Sequence, residues 1–408
     1  MPRSRNIAES TPASAPHVAL LVETSLASGR EILRGVARYV RERGPWSLFH
    51  APRGLEESAP AWLQRWQGDG VIARVTTPEL GALLRRTKLP VVDVIGMAPG
   101  AGFPVIHVDD AAIARMAYAH FAERGFRRFA FFGIARENWS ERRRDAYLAS
   151  AAAVDPTPGV YEIPRRELED TPWETRQDRL AHWLQSLPKP VGLMVCSDQR
   201  GPDVLEACRR VGINVPDEIA IVGVDNDEPL CEVCNPPLSS VWPDHFAVGY
   251  QAAAFLHRQM QLRAGSARRK SSPTPASSDD LPPPIAPRGM VIRQSSDVLA
   301  VEDSAVAAAL RIIRERACAG VSIDEIARAA GASRSVLQRR FIALLGQTIH
   351  DQIITQRLKR AVELISTTDL PLMEIAERCG FRHQEYMGVV FRERLGKTPA
   401  QYRHASRD

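Results

Sequence analysis

The chain has 408 residues, 44% apolar and 25% charged, enough for two or three domains with cores of their own. Its net charge of +5 is uneven: residues 303–408 hold 17 Lys and Arg against 12 Asp and Glu, while residues 1–302 hold 36 of each. The whole basic surplus therefore sits in the C-terminal quarter, as expected of a part that neutralises phosphates. No apolar run approaches membrane-spanning length, and Glu23 interrupts "VALLVET" before it could serve as a secretory leader. The six cysteines are scattered through apolar segments like reduced intracellular thiols, and "CEVC" at 231–234 has no second pair or nearby His to complete a metal site. These features predict a cytoplasmic protein with no membrane association, metal or cofactor.

In chain order, residues 1–16 carry no structural signal and are expected to be disordered. From residue 17, the segments "HVALLV", "GVIARV", "PVVDVI", "RRFAFFG", "VGLMVC" and "IAIVGV" each precede an amphipathic stretch. That alternation predicts a parallel sheet covered by helices on both faces. No G-x-G-x-x-G follows the first strand, and no Ser/His/Asp or metal-ligand cluster appears, which argues against an enzyme. Residues 263–284, "RAGSARRKSSPTPASSDDLPPP", are Ser/Pro-rich and predicted disordered. "PIAPRGMVIRQSSD" follows and still reads as a strand. The tract is therefore placed as an insertion within an α/β domain spanning 17–293, with the interdomain linker at 294–302.

Residues 303–406 read as helices only, and one segment is written twice. "DEIARAAGASRSVLQRRFIALLG" (324–346) nearly recurs as "MEIAERCGFRHQEYMGVVFRERLG" (373–396), matching Glu325 with Glu374, Ile326 with Ile375, Gly331 with Gly380 and Phe341 with Phe391. Each copy predicts a helix, a stop at a glycine able to turn left-handed, and a second helix, which Ser333 can cap in the first copy. In that second helix Leu337, Phe341, Leu344 and Leu345 form the predicted buried stripe, with Ser335 and Arg339 opposite and Gln338 on the flank. Arg can read guanine edges and Gln adenine edges, so this face suits DNA; its alternative is an ordinary solvated face. Between the copies, Ile349, Ile353, Leu358, Ala361, Leu364 and Ile365 predict one connecting helix.

The repeat, its connector and the closing "KTPAQYR", with Thr398, Pro399, Tyr402 and Arg403, strongly resemble the AraC-type family of bacterial transcription activators. By that precedent Arg334, Ser335, Gln338 and Arg339 face DNA in the first copy, and Arg382, Gln384 and Glu385 in the second. At Val389 many members carry a basic residue instead. Residues 17–297 are similar to the effector domain of lactose-repressor-type regulators and periplasmic sugar-binding proteins. The resemblance is carried by "HVDDAAIARMAYAHFAERGFRRFAFFG", "LMVCSDQRGPDVL" and "VPDEIAIVGVDNDE" with "PPLSSVWPDHFAVGYQAA". Together the two halves resemble the xylose-operon activators of bacteria, which implies a sugar-responsive activator of xylose-utilisation genes, with response to another pentose or related sugar, or action as a repressor, as the alternative. The resemblance implies a two-lobed periplasmic-binding-like α/β sensor followed by an all-α domain with two helix-turn-helix motifs. Its implied partners are DNA, a sugar effector (D-xylose, or another pentose), RNA polymerase and a second copy of the chain.

A sugar cleft at strand C-termini needs Asp, Asn and Arg for hydroxyls and an aromatic face for C–H groups. Arg30 follows the first strand, Asp198 the "LMVCS" strand, and Asp225 with Asn226 the "IAIVGV" strand. Arg143 stands where lactose-repressor-type sensors place a hydroxyl-binding arginine, and Trp139 and Trp173 are candidate stacking faces. Structural roles compete: Asp198 as a helix cap, the tryptophans as core, and Arg143 as part of a solvated "ERRRD" face.

Overall fold

A computed structural model describes residues 15–51, 60–97, 100–269, 281–298, 300–301 and 303–405. It falls into two compact units, residues 1–298 and 299–408. The first contains β1 (His17–Leu21), α1 (Ala27–Arg43), β2 (Ser47–His50), β3 (Gly70–Ala73), α2 (Pro78–Thr87), β4 (Val91–Asp93), α3 (Asp110–Glu123), β5 (Phe129–Ala135), α4 (Asn138–Ala151) and β6 (Gly159–Pro164). It continues with α5 (Arg165–Asp170), α6 (Trp173–Ser186), β7 (Val191–Val195), α7 (Gly201–Arg210), β8 (Ile219–Val224), α8 (Glu228–Val233), β9 (Ser239–Trp242), α9 (His245–Arg269) and β10 (Gly289–Val291).

These strands make two sheets, each the centre of a lobe. One has the order β2-β1-β3-β4 and is parallel throughout. The other has the order β10-β9-β8-β7-β5-β6, parallel except for β10 against β9. Strands β3, β7 and β8 are buried along their whole length, which is why they read as unbroken apolar runs.

The lobes are not consecutive in sequence. After β9 the chain returns to pack α9 on α1, β3 and β4 of the first lobe, then re-enters the second lobe where Ile285 bridges Val108. The α1–α9 crossing is close because both helices present glycine. A Cβ on Gly35 would sit 2.1 Å from the Phe246 carbonyl oxygen, and one on Gly249 2.0 Å from that of Ile32.

Three expectations meet the structure differently. Of the tract 263–284, residues 263–269 are not disordered but extend α9, since its Arg and Ala are good helix formers; residues 270–280 lie outside the described residues. The start of the expected linker at 294–302 is tied into the first unit, where Ser295 and Ser296 are fully buried. The expectation for residues 1–16 falls, save for the last two, outside the described residues.

The second unit is helical: α10 (Ser304–Arg316), α11 (Ile323–Ala329), α12 (Arg334–Leu345), α13 (Ile349–Thr367), α14 (Leu372–Arg378), α15 (Gln384–Leu395) and α16 (Pro399–Ala405). It has two small cores. Val306, Ile312, Ile326, Leu337 and Phe341 build one, Ile375, Met387, Val390 and Phe391 the other. The connector α13 closes both, giving Ile349 and Ile353 to the first and Ile354, Leu358 and Ile365 to the second.

Candidate functional site

Between the two lobes of the first unit lies a cleft of about 120 Å3, roughly ten times the ~10–15 Å3 that one water needs. Its walls come from the C-terminal ends of strands, as expected where an open α/β sheet binds a ligand. Arg74 follows β3, and Val94 and Ile95 follow β4. Ser197, Gln199 and Arg200 follow β7, and Asp225 follows β8. Asp110, Trp139, Arg142 and Arg143 of α3 and α4, with His107 and His245, complete it.

The charges of this cleft are largely paired. Arg143 is buried; its Nε donates to Asp110 Oδ1 at 2.8 Å and its Nη1 to the Cys196 carbonyl at 2.6 Å. Arg142 Nε donates to the other Asp110 oxygen at 2.9 Å. Arg74 pairs with Glu23, Arg165 with Glu137, and Arg200 with Asp203 at 3.0 Å. Burial works to raise the Asp225 carboxyl, but the hydrogen bond and charge of His245 with the charges of Arg143 and Arg74 outweigh it and hold the group below the usual range. Two donors are left over: the buried Nε groups of Arg74 and Arg200 have no partner.

Of the residues expected here, Trp139, Arg143 and Asp225 are brought together. Trp139 lies under the Arg143 guanidinium, 5.1 Å from ring centroid to Cζ, and Asp225 Oδ1 is 3.1 Å from His245 Nε2. The other four do not line the cleft. Arg30 turns back on its own loop, donating to the Thr24 and Ser25 carbonyls at 2.9 and 3.1 Å. Trp173 is an exposed residue at the start of α6 with Arg210 over its ring.

Asp198 is a buried support behind Asp225, and it caps no helix. It accepts hydrogen bonds from the Ser240 hydroxyl, the Asp227 N–H and the Cys231 thiol. Burial, then the charge of Asp225, pushes its carboxyl up to about 8. Asn226 accepts from Arg293 instead of facing the cleft.

Sequence reasoning passed over Asp110, Arg74, Arg200 and His245. Arg74 had a usable signal, because it directly follows a strand just as Asp225 does. Asp110 was hidden by its neighbour: in "HVDD" it is Asp109 that caps α3, accepting from the Ala112 N–H at 2.8 Å, which frees Asp110 to hold the two arginines. His245 carried no signal. Among the described residues, no group of three or more His, Cys, Asp or Glu could hold a metal ion, and no helix is long and apolar enough to cross a membrane.

In the second unit, the first helix of each repeat ends at a left-handed glycine, Gly331 (φ +69°) or Gly380 (φ +77°), before the second helix begins. Ser322 and Glu325 form a reciprocal cap on α11, and Ser333 caps α12. Leu337 and Phe341 are buried, but Leu344 is exposed, because the core under the end of α12 takes Leu345 in its place. On the outer face Arg334, Ser335 and Arg339 are exposed and Gln338 is half-buried. Arg382, Gln384, Glu385 and Val389 are exposed on and just before α15. The closing signature is structural: Tyr402 packs on the second core, and Arg403 donates to the Leu370 carbonyl at 2.6 Å.

Comparison with known proteins matches all three parts. Residues 17–107 fit the model of the XylR N-terminal domain, residues 118–289 that of a periplasmic binding protein-like domain, and residues 326–405 that of a helix-turn-helix domain. The chain is 32% identical over 399 residues to the xylose operon regulatory protein of Escherichia coli K12, covering 95% of this chain and 96% of that one. It is 31% identical over 394 residues to that of Haemophilus influenzae, covering 95% and 97%. A solved structure of the xylose-binding transcription activator XylR superposes with a TM-score of 0.74 at 30% identity, over 96% of this chain and 98% of that chain. A LacI regulator from a Rhodococcus species, at 20% identity and a TM-score of 0.53 over 70% of this chain and all of that one, shares the fold of the first unit.

Proposed function

Since this chain belongs to the family of xylose operon regulatory proteins, AraC-type transcription regulators with a periplasmic-binding-like sensor and no enzymatic role, we propose that it is a cytoplasmic activator that binds D-xylose in the interlobe cleft. One observation carries the choice of a neutral sugar. The five arginines of the cleft pair with four carboxylates, Asp110 serving both Arg142 and Arg143, and Asp225 supplies the fifth negative charge, which leaves no net positive charge for an anion to neutralise, while the Nε groups of Arg74 and Arg200 remain as donors for hydroxyls. Arg143, Asp225 and Trp139 are the sugar-contacting residues in this reading, joined by Arg74 and Arg200.

DNA is read by α12 through Arg334, Ser335, Gln338 and Arg339, and by α15 through Gln384 and Glu385 with Arg382 beside them. A homodimer on two half-sites recruits RNA polymerase when the sugar is bound. The test is a thermal-shift screen of the full chain against pentoses and hexoses, because a ligand that binds only the folded state raises the melting point with the logarithm of its concentration. D-xylose should give the largest shift. A larger shift with another pentose reassigns the effector, and no shift with any sugar removes the reading.

A further inference from the structure

The segment through which the chain leaves the first unit is bonded to the floor of the cleft. Asp225, the cleft carboxylate, has φ +111°, and Asn226 beside it has φ +49°, so the turn after β8 is held in a left-handed conformation that few side chains adopt. The Asn226 N–H donates to Ser240 Oγ at 3.0 Å, and its Oδ1 accepts from Arg293 Nη2 at 3.0 Å. Arg293 Nη1 donates to the Leu238 carbonyl, also at 3.0 Å. One guanidinium thus spans the turn that carries Asp225 and the start of β9.

Beyond Arg293 there is no slack. Ser239 Oγ both accepts from the Arg293 N–H and donates to its carbonyl. Ser295 Oγ donates to the Ile221 carbonyl of β8 at 2.7 Å, and its N–H donates to the Pro237 carbonyl. Ser296 Oγ lies 2.8 Å from His120 Nε2. His120 is on α3, whose first residue is Asp110, the carboxylate that holds Arg142 and Arg143 at the cleft. Every residue from 293 to 296 except Gln294 is therefore bonded to an element that also supplies a cleft residue or its direct support. Two residues further on, at Val298, the first unit ends.

From this network we infer that Arg293 and Asn226 form a latch that transmits occupancy of the cleft to the exit segment, and so to DNA binding. Asn226 is thus a positioning residue and not a ligand contact. The inference rests on the sugar-responsive reading above. A ligand that draws on Asp225 must move the turn it sits in; with the latch closed, Arg293 carries that movement into residues 293–298. Without the latch the sugar still binds, but the Asp225 turn no longer moves Arg293, because the bonds of Ser239, Ser295 and Ser296 tie the exit segment to β9, β8 and α3 and not to that turn. A coupling of this kind exists only if occupancy biases the latch between two arrangements.

The experiment uses the full chain, D-xylose as the ligand, and a duplex recovered by the wild-type protein from a random pool in the presence of D-xylose. Wild type should bind this duplex at least about fivefold more tightly with D-xylose than without, the lower edge of usual allosteric coupling. Asn226→Gly keeps the left-handed turn but removes the acceptor. It should bind D-xylose within about twofold of wild type by calorimetry, yet gain under about twofold in DNA affinity when sugar is added. Asn226→Asp keeps an acceptor for Arg293 and should retain the coupling.

Arg293→Gln, which cannot span both partners, is the second route should Asn226→Gly not fold, and it should uncouple in the same way. If the severed variants respond to D-xylose as wild type does, the latch is wrong. If Asn226→Gly folds but loses sugar binding, Asn226 belongs to the cleft and the latch is equally wrong. A wild type whose DNA affinity ignores every sugar would instead remove the functional reading, and the latch with it.

Discussion

Replacing Arg143 with methionine tests how the cleft is built. Arg143 and Asp110 are both almost completely buried, and Asp110 keeps Arg142 as a second partner. Breaking a buried ion pair from one side costs about 3–5 kcal/mol. The remaining Arg142 contact keeps the loss near the lower figure, while the Cys196 carbonyl loses its donor. We expect a destabilisation of about 3 kcal/mol, which a unit of ordinary stability, ~5–15 kcal/mol, survives. All seven tryptophans precede residue 298, so tryptophan fluorescence during urea unfolding reports the first unit alone. With a slope near ~3 kcal/mol per molar, the midpoint should fall by about 1 M. Arg142→Met, whose side chain is partly exposed, should cost under about 1 kcal/mol. Equal effects from the two substitutions, or no effect from Arg143→Met, would refute the assignment of Arg143 as the buried organiser of the cleft.

Three further outcomes follow from the geometry. Gly380→Ala should lower the melting temperature more than Gly331→Ala. Both glycines are left-handed, but a Cβ on Gly380 would lie 2.7 Å from the Cys318 carbonyl oxygen while one on Gly331 meets nothing; equal losses by calorimetry would contradict this. In a binding-site selection, Arg339→Ala should relax sequence preference and Val389→Ala should leave it unchanged, since only the former removes a donor from an exposed face proposed to read DNA; matching losses would refute the asymmetry.

The third concerns pH. Asp198, pushed up to about 8 in the fold from ~3.9 when unfolded, contributes stability that is complete below about pH 4 and lost as pH rises through 8. His120, lowered mainly by burial to about 4 from ~6.5, contributes stability present above about pH 6.5 and lost as pH falls through 4. The two oppose each other below pH 6.5. Between 6.5 and 8 the first unit should therefore weaken with rising pH in wild type and stay level in Asp198→Asn. Parallel urea-midpoint curves for the two would sink the argument.

What could be read in advance follows burial. β1, β3, β4, β5, β7 and β8 were legible because both faces of each are covered, so their side chains are apolar without alternation. β2 and β6 were missed as edge strands of largely half-exposed residues, "SLFH" and "GVYEIP" resembling loop as much as strand, and β9 was missed although it is interior and mostly buried, because two of its four residues are serines and Pro237 and Pro243 stand close on either side; β10, an edge strand, was read from "PIAPRGMVIRQSSD". The strand rule found Asp225 but not the partners it acts with, since Asp110 and His245 reach the cleft from helices that a one-dimensional pattern cannot aim. Trp173 shows the opposite failure: a residue type suited to stacking on sugars does not line the cleft, and only the fold reveals its place. In the second unit the repeat itself made both glycine turns and the connector readable. The side-by-side roles of Leu344 and Leu345 depended on where α13 closes the core.

Whether the charge-balanced cleft selects a neutral sugar is read by calorimetric titration of the full chain with D-xylose and, under identical conditions, with its carboxylate D-xylonate. Saturable one-to-one binding of D-xylose is expected, with at least about tenfold weaker binding of D-xylonate, because the added charge would enter a site whose cations are already paired. Tighter binding of D-xylonate, or no heat from either, would contradict this expectation.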